Sequence, residues 1–389
     1  MNKHILNTVV QDFIKSYSGE ISKLAFAGSP FAKVSVQELI QQIEGRQKIE
    51  KKLPNWFHTK GVYYPPKIHL EQTSSEATAK YKASLVHGDK LADLTGGFGV
   101  DAYYFSEVFN SVLHFEQNQS LSEIAAHNFD RLSKNNIQCL AVDGIVTGLQ
   151  QHYDILYIDP SRRHSAKGKV FYLRDCEPNV PVHLGDLLDH CITLMIKTSP
   201  MLDITIGMQE LNTVAQLHIV AVNNEVKELL WIVKKDYRGT THIRTVNITN
   251  SGNEVFNFTM DYRATATYAP PQHFLYEPNS AIMKSGAFDL VSEEFSIHKL
   301  HKHSHLYTSD TLCEFPGRRF TIEKIIPYTK ASIREELSIS KANITIRNFP
   351  ESVAQLRKKW GVKEGGDDYL FFTTLENEEK VIIHCSRVQ

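Results

Sequence analysis

The chain has little cysteine and no pattern in what it has. Five cysteines in 389 residues, at 139, 176, 191, 313 and 385, stand far apart and never in C-x-x-C spacing. That excludes a disulfide framework and a zinc knuckle. A cysteine nucleophile has no recognisable setting either, so reduced, mostly buried thiols are expected. Excess charge is also missing: 43 basic against 44 acidic side chains leave a net charge of -1. No overall field gathers polyanions, and any nucleic-acid contact must be a local patch. Long apolar runs are absent too. The opening, MNKHILNTVVQDFIKSYSGE, lacks the unbroken stretch of a secretory signal, and no later run approaches membrane-spanning length. A cytoplasmic protein without membrane contact is expected.

What is present is an ordinary globular composition, 42% apolar and 22% charged. The chain is long for one core, since single cores rarely grow past roughly 250–300 residues. Residues 1–70 read as a helical N-terminal domain, in which VSVQELIQQIEGRQKIEKKLP spaces Val36, Leu39, Ile40 and Ile43 on one face before Pro54. After a Pro/Tyr-rich connector, SSEATAKYKASLV reads as a helix with Ser75 as its cap. Residues 71–240 then alternate short apolar runs with amphipathic stretches, the rhythm of a parallel sheet covered by helices on both faces. The strand candidates are KLADLT, SVLHFE, IQCLAV, DILYID, ITLMIK, QLHIVAV and ELLWIVKK. The last two, joined by NNEVK, predict an antiparallel hairpin at the sheet edge. The fold class is therefore α/β: a seven-stranded Rossmann-like sheet with an antiparallel edge hairpin, a helical N-terminal part and a small α+β C-terminal domain. Residues 241–325 are a β-rich connecting region, and residues 326–389 hold the α+β unit, with the turn KEGGDD between a helix and two strands.

The segment LADLTGGFGVDAYYF has the order strand, acid, glycines, helix. Gly96, Gly97 and Gly99 free the backbone to turn tightly and let a ligand approach it. Glu116 ends the second strand candidate, 23 residues after Asp93, where an acid takes both hydroxyls of a ribose. Asp143 lies just past the third, within reach of an adenine amino group. The spacing D-x-T-G-G-x-G departs from the dinucleotide G-x-G-x-x-G, because its acid precedes the glycines and no third glycine opens the helix. An acid at the turn repels a pyrophosphate but suits S-adenosylmethionine, which carries an ammonium and a sulfonium.

DLTGGFGVD, Glu116, Asp143 and DPSRR together resemble a class I S-adenosylmethionine-dependent methyltransferase over about residues 72–235. With the C-terminal NITIRNFP and GGDDYLFFTT, they resemble the bacterial methyltransferases that carry a THUMP-like domain at the C-terminus. This resemblance implies S-adenosyl-L-methionine as cofactor, held by Asp93, Thr95, Gly96, Gly97, Phe98, Gly99, Glu116, Gln117, Asp143 and Gly144. Because THUMP domains in other RNA-modifying enzymes bind RNA, it also implies an RNA substrate. Asp159, Pro160, Ser161 and Arg162 are the catalytic candidates. In methyltransferases of exocyclic amines, an Asp or Asn followed by Pro-Pro-aromatic sits at this strand end, and its side chain accepts hydrogen bonds from the target amine. Asp159 and Pro160 fit; Ser161 and Arg162 replace the stacking ring, which leaves the target atom open.

Arg162 and Arg163 either bind a phosphate beside the target or face solvent. The loop from Arg162 to Arg174 holds six basic side chains with Phe171 and Tyr172, suiting either single-stranded RNA or a solvated charged loop. Four histidines in SIHKLHKHSHLY lack a completing carboxylate or cysteine arrangement, so an inter-domain loop is expected there and no metal. Arg357, Lys358, Lys359 and Lys363 around Trp360 read as a phosphate-binding patch or as the outer face of an amphipathic helix. The expected activity is direct methyl transfer to an RNA base. Transfer to a protein or small molecule, and a non-catalytic donor-binding or RNA-binding module, are the alternatives. Oligomeric state is not legible.

Overall fold

A computed structural model describes residues 1–162 and 172–388, the side chain of Arg162 excepted. Residues 163–171, which hold Arg163 and most of the expected basic loop, lie outside the described residues. The chain divides into two compact units, residues 1–217 with 227–239, and residues 218–226 with 240–389.

The first unit is built on parallel strands β1 (Gly88–Asp93), β2 (Phe109–Phe115), β3 (Ile137–Leu140), β4 (Tyr153–Ile158) and β5 (Cys191–Thr198). Their inner residues are apolar on both faces, as parallel strands between helices require. The expected hairpin is β6 (Val214–Val222) and β7 (Glu225–Val233), and β7 runs antiparallel to β5. Asn223 and Asn224, with φ of 49° and 64°, make its two-residue turn in the left-handed region that asparagine tolerates. The second unit holds β8 (His242–Thr249) and β9 (Gly252–Thr259), an antiparallel pair. Within the first unit the hydrogen-bonded order runs β7-β5-β4-β1-β2-β3. The threonine-rich segments read as a connecting region thus form two paired strands.

The order reverses at β1, which pairs with β2 on one side and β4 on the other. A crevice beyond the carboxyl ends of these strands follows from that reversal. The N-terminal helices share one apolar core with this sheet: Leu39, Ile43 and Trp56 cluster with Leu91, Val112, Tyr157 and Met195. The helix Val36–Ile49 starts on a capping box between Ser35 and Glu38, and Glu76–Ser84 on one between Ser75 and Thr78, the expected cap. Pro54 does not only end a pattern; it opens the next helix at its first turn, where its missing N–H costs nothing.

The second unit also holds a seven-stranded sheet: β10 (Phe274–Pro278), β11 (His298–Lys299), β12 (Tyr307–Ser309), β13 (Gly317–Pro327), β14 (Asn343–Arg347), β15 (Asp368–Thr374) and β16 (Lys380–Arg387). Their order is β11-β12-β10-β13-β16-β15-β14. β14 and β15 are parallel and joined through the helix Val353–Trp360, whose Leu356 is buried. Gly365 and Gly366, at φ of 97° and 86°, turn the chain into β15. In that helix Arg357 donates to the carbonyls of Ala342 and Val362, and Lys359 pairs with Glu351. Two of the four basic residues considered for a phosphate patch are thereby engaged in the fold. His301 is buried, its Nδ1 accepting from the His303 backbone and the Asn348 amide, and His305 stacks on Phe288. Among the described residues no group of three or more His, Cys, Asp or Glu is placed to hold a metal. Nor is any described helix long and apolar enough to cross a membrane.

Candidate active site

At the end of β1 the chain must leave the sheet and enter the helix Val100–Phe105 within six residues. The turn is pinned to the neighbouring strand ends: Leu94 N–H donates to the Tyr157 carbonyl (3.0 Å) and Gly96 N–H to the Phe115 carbonyl (2.7 Å). Glycine at 96 is a matter of space. A Cβ there would lie 2.3 Å from Nε2 of His114, which fills the floor under the turn. His114 is wholly buried, and burial holds its pKa down to about 4, so the ring is neutral. Gly97 and Gly99 have φ of 56° and 91°, the left-handed region that favours glycine.

A cleft of about 650 Å³ opens above this turn, and its lining collects most of the residues singled out in the sequence. Asp93, Thr95, Gly96, Gly97, Phe98, Glu116, Gln117, Asp143 and Gly144 border it, as do Asp159 and Ser161. Gly99 does not: a Cβ there would meet the Phe129 ring at 2.4 Å, so it serves packing. Pro160 is buried and not part of the wall, and the Phe98 ring packs on Trp56 (4.7 Å between centroids), which leaves its backbone to the cleft. Glu116 accepts from the N–H groups of Gly97 (2.9 Å) and Asn118 (2.7 Å). Asp143 caps the helix Gly144–Gly148 through Oδ1. Arg174, at the far end of the expected basic loop, lies over the Tyr172 ring at 4.2 Å.

The electrostatics are acidic. Asp93, Asp101, Glu116, Asp143, Asp159 and Glu177 line the cleft against Lys197 and Lys227. Asp93 is 1% exposed; burial first, and then the charges of Asp101, Asp159 and Glu116, push its carboxyl well above the usual range. Lys197, on β5, meets Oδ2 of Asp159. Burial opposes its charge, but Asp159, Glu228 and Asp101 outweigh burial and raise its pKa. Behind them Lys82, fully buried, contacts both oxygens of Glu228 (2.7 and 2.9 Å) and Oδ1 of Asp101 (3.2 Å). Oδ2 of Asp101 accepts from Ser74 Oγ (2.8 Å) and the Tyr157 hydroxyl (2.9 Å).

Sequence reasoning passed over Lys82, Asp101, Lys197 and Glu228, and also His69, Gln72 and Thr73, which border the cleft from the helix Lys67–Gln72 and its exit. One signal was available: ITLMIK ends an apolar strand in a lysine, at the sheet end where ligands bind.

The residues present fit a cationic adenosyl donor. At Gly97 a Cβ would meet nothing nearer than the Thr95 carbonyl at 3.8 Å, so the backbone is bare on that side. Among the described residues that line the cleft, six carboxylates against two lysines favour an ammonium or sulfonium over a pyrophosphate.

Comparison with known proteins agrees with this geometry. Residues 274–316 match the profile of a ferredoxin-like domain, and residues 317–387 that of a THUMP-like domain. No curated protein matches the chain. A crystal structure of a presumed methyltransferase from Porphyromonas gingivalis W83 is 30% identical, covers 100% of this chain and 99% of its own, and superposes with a TM-score of 0.90. An rRNA methylase from Streptococcus thermophilus, 12% identical over 41% of this chain and 94% of its own, reaches a TM-score of 0.30. A tRNA m1G37 methyltransferase from M. jannaschii, 11% identical over 42% and 52%, also reaches 0.30, and neither carries an argument. On the full-length match and the matched tail, the chain belongs to the class I S-adenosylmethionine-dependent methyltransferase family, in the bacterial group with a THUMP-like domain at the C-terminus.

Proposed function

We propose that this protein uses S-adenosylmethionine to methylate RNA, by direct transfer to a base. The observation that carries the reading is the acidic cleft at the strand-order reversal, where the glycine turn, Glu116, Asp143 and Asp159 border one space. When bound, the donor supplies a methyl group on a sulfonium, which needs an aligned nucleophile and no covalent enzyme intermediate. Asp93 holds the donor's ammonium, Glu116 its ribose and Asp143 its adenine edge. Asp159 orients the acceptor, and the buried Tyr157, whose hydroxyl donates to Asp101, forms part of the cleft floor. The THUMP-like segment at residues 317–387 supports RNA as the acceptor class.

The test is mass spectrometry of nucleosides from cells with and without the protein, alongside transfer of a tritiated methyl group from S-adenosylmethionine to total RNA. A methylated nucleoside lost with the protein and restored by it is the expected result. Donor binding with label appearing only in protein or small molecules overturns the RNA assignment, and absence of donor binding overturns the whole reading.

A further inference from the structure

Asp159 and Lys197 are brought together by sheet register. β4 and β5 are parallel neighbours with Ile158 opposite Ile196, so Asp159, the first residue past β4, stands beside Lys197, which is still within β5. The Lys197 ammonium meets Oδ2 of Asp159, with the lysine side chain 13% exposed and the aspartate 32%. A second hold acts on the same residue, because Asp159 N–H donates to Thr95 Oγ1 at 2.7 Å, and Thr95 belongs to the glycine turn. The lysine itself is held from below. Glu228 and Asp101 add their charges to that of Asp159 around it, and both are tied to Lys82.

Such a pair gains little stability over well-packed apolar residues, since the desolvation of both ions offsets their attraction. What it does confer is direction. A carboxylate fixed at its backbone and at one oxygen keeps its remaining acceptor capacity turned to the cleft that both residues line.

We infer that Lys197 is the positioning residue of the acceptor site: its ammonium fixes Asp159 as an oriented hydrogen-bond acceptor, so the site takes an acceptor that arrives as an N–H or O–H donor. This rests on the methyl-transfer reading above. Lys197 acts through Asp159 and takes no proton in the step. With the donor bound, the acceptor's lone pair would form the new bond to the methyl carbon as the carbon–sulfur bond breaks; S-adenosylhomocysteine would be the leaving group, and the acceptor's proton, hydrogen-bonded to the Asp159 carboxylate, would pass through it to water.

The experiment compares Lys197→Met, Lys197→Arg, Asp159→Asn and the double variant Lys197→Met/Asp159→Asn in tritium transfer to total RNA, calorimetric donor binding and urea unfolding. Expected is a fall of about 100-fold in transfer rate for Lys197→Met with donor affinity essentially unchanged. Lys197→Arg recovers most of the rate, and Lys197→Met has no further effect once Asp159 is Asn. Full rate in Lys197→Met, or losses that multiply in the double variant, overturns the inference. If the wild-type protein binds no donor and transfers no label to RNA, protein or small molecules, the methyl-transfer reading falls and this inference falls with it; the unfolding measurements separate a lost rate from a lost fold.

Discussion

Replacing Asp93 by Asn separates what this residue costs the fold from what it does for the donor. In the unfolded chain the carboxyl titrates near its ordinary value of about 3.9. In the fold, burial raises it, and the like charges of Asp101, Asp159 and Glu116 raise it further, while the Thr95 N–H at 3.1 Å opposes them. Between those two values the folded chain holds a proton that the unfolded chain has lost, so stability falls as pH rises through that window. Each unit of displacement costs about 1.4 kcal/mol. Asn has no charge to desolvate, so Asp93→Asn is expected to stabilise the fold at neutral pH and to flatten the pH dependence. Donor binding moves the opposite way. An ammonium about 4 Å from a carboxylate, at an effective dielectric constant of about 20, is worth about 4 kcal/mol, so affinity falls by about 100- to 1,000-fold. Because Asp93 must ionise to meet the ammonium, binding expels a proton and wild-type affinity rises with pH. Urea melts from pH 5 to 8 and calorimetry in two buffers of different ionisation enthalpy measure both effects. A variant that binds the donor as well as wild type, or is less stable with the same pH slope, refutes the reasoning.

Three further outcomes follow from the same geometry. Gly96→Ala drives a Cβ to 2.3 Å from the boxed His114 ring; overpacking of about 1–3 kcal/mol and weaker donor binding are expected, to be read by thermal melts and calorimetry. Lys82→Met strands Glu228 and Asp101 in the interior, which costs about 3–5 kcal/mol in urea unfolding, and a loss under about 1 kcal/mol contradicts the network. His114 titrates at about 4 in the fold against 6.5 in the open chain. The unfolded state therefore takes its proton first, and about 3 kcal/mol is lost as pH falls through that interval. His114→Leu should remove this part of the acid destabilisation, visible as a shallower slope of urea midpoints between pH 6.5 and 4.

The glycine turn and the acids of the cleft were legible because their signals are local. Glycines that a turn requires, and acids that end apolar strands, are fixed by a few neighbouring residues. Asp93, Glu116 and Asp143 accordingly border one cleft. The acceptor side was less legible. Ser161 and Arg162 carried the only visible departure, yet the contact that organises Asp159 comes from Lys197, 38 residues on, and reads in sequence as the frayed end of a strand. The segments read as a connecting region were less legible for a related reason: β8 and β9 mix polar and apolar residues over short spans, and their pairing with each other is a property of the fold.

The sequence by itself determined the α/β class, the turn at Asp93–Gly99 and the acidic character of the site, since these depend on periodicity, chirality and residue chemistry over short spans. Only the tertiary structure decided that Lys82, Asp101, Glu228 and Lys197 form a buried charge network behind Asp159. Lys82 and Glu228 are 146 residues apart. Burial turns each from an ordinary surface charge into one that must have a partner, and the parallel register of β4 and β5 sets Lys197 beside Asp159.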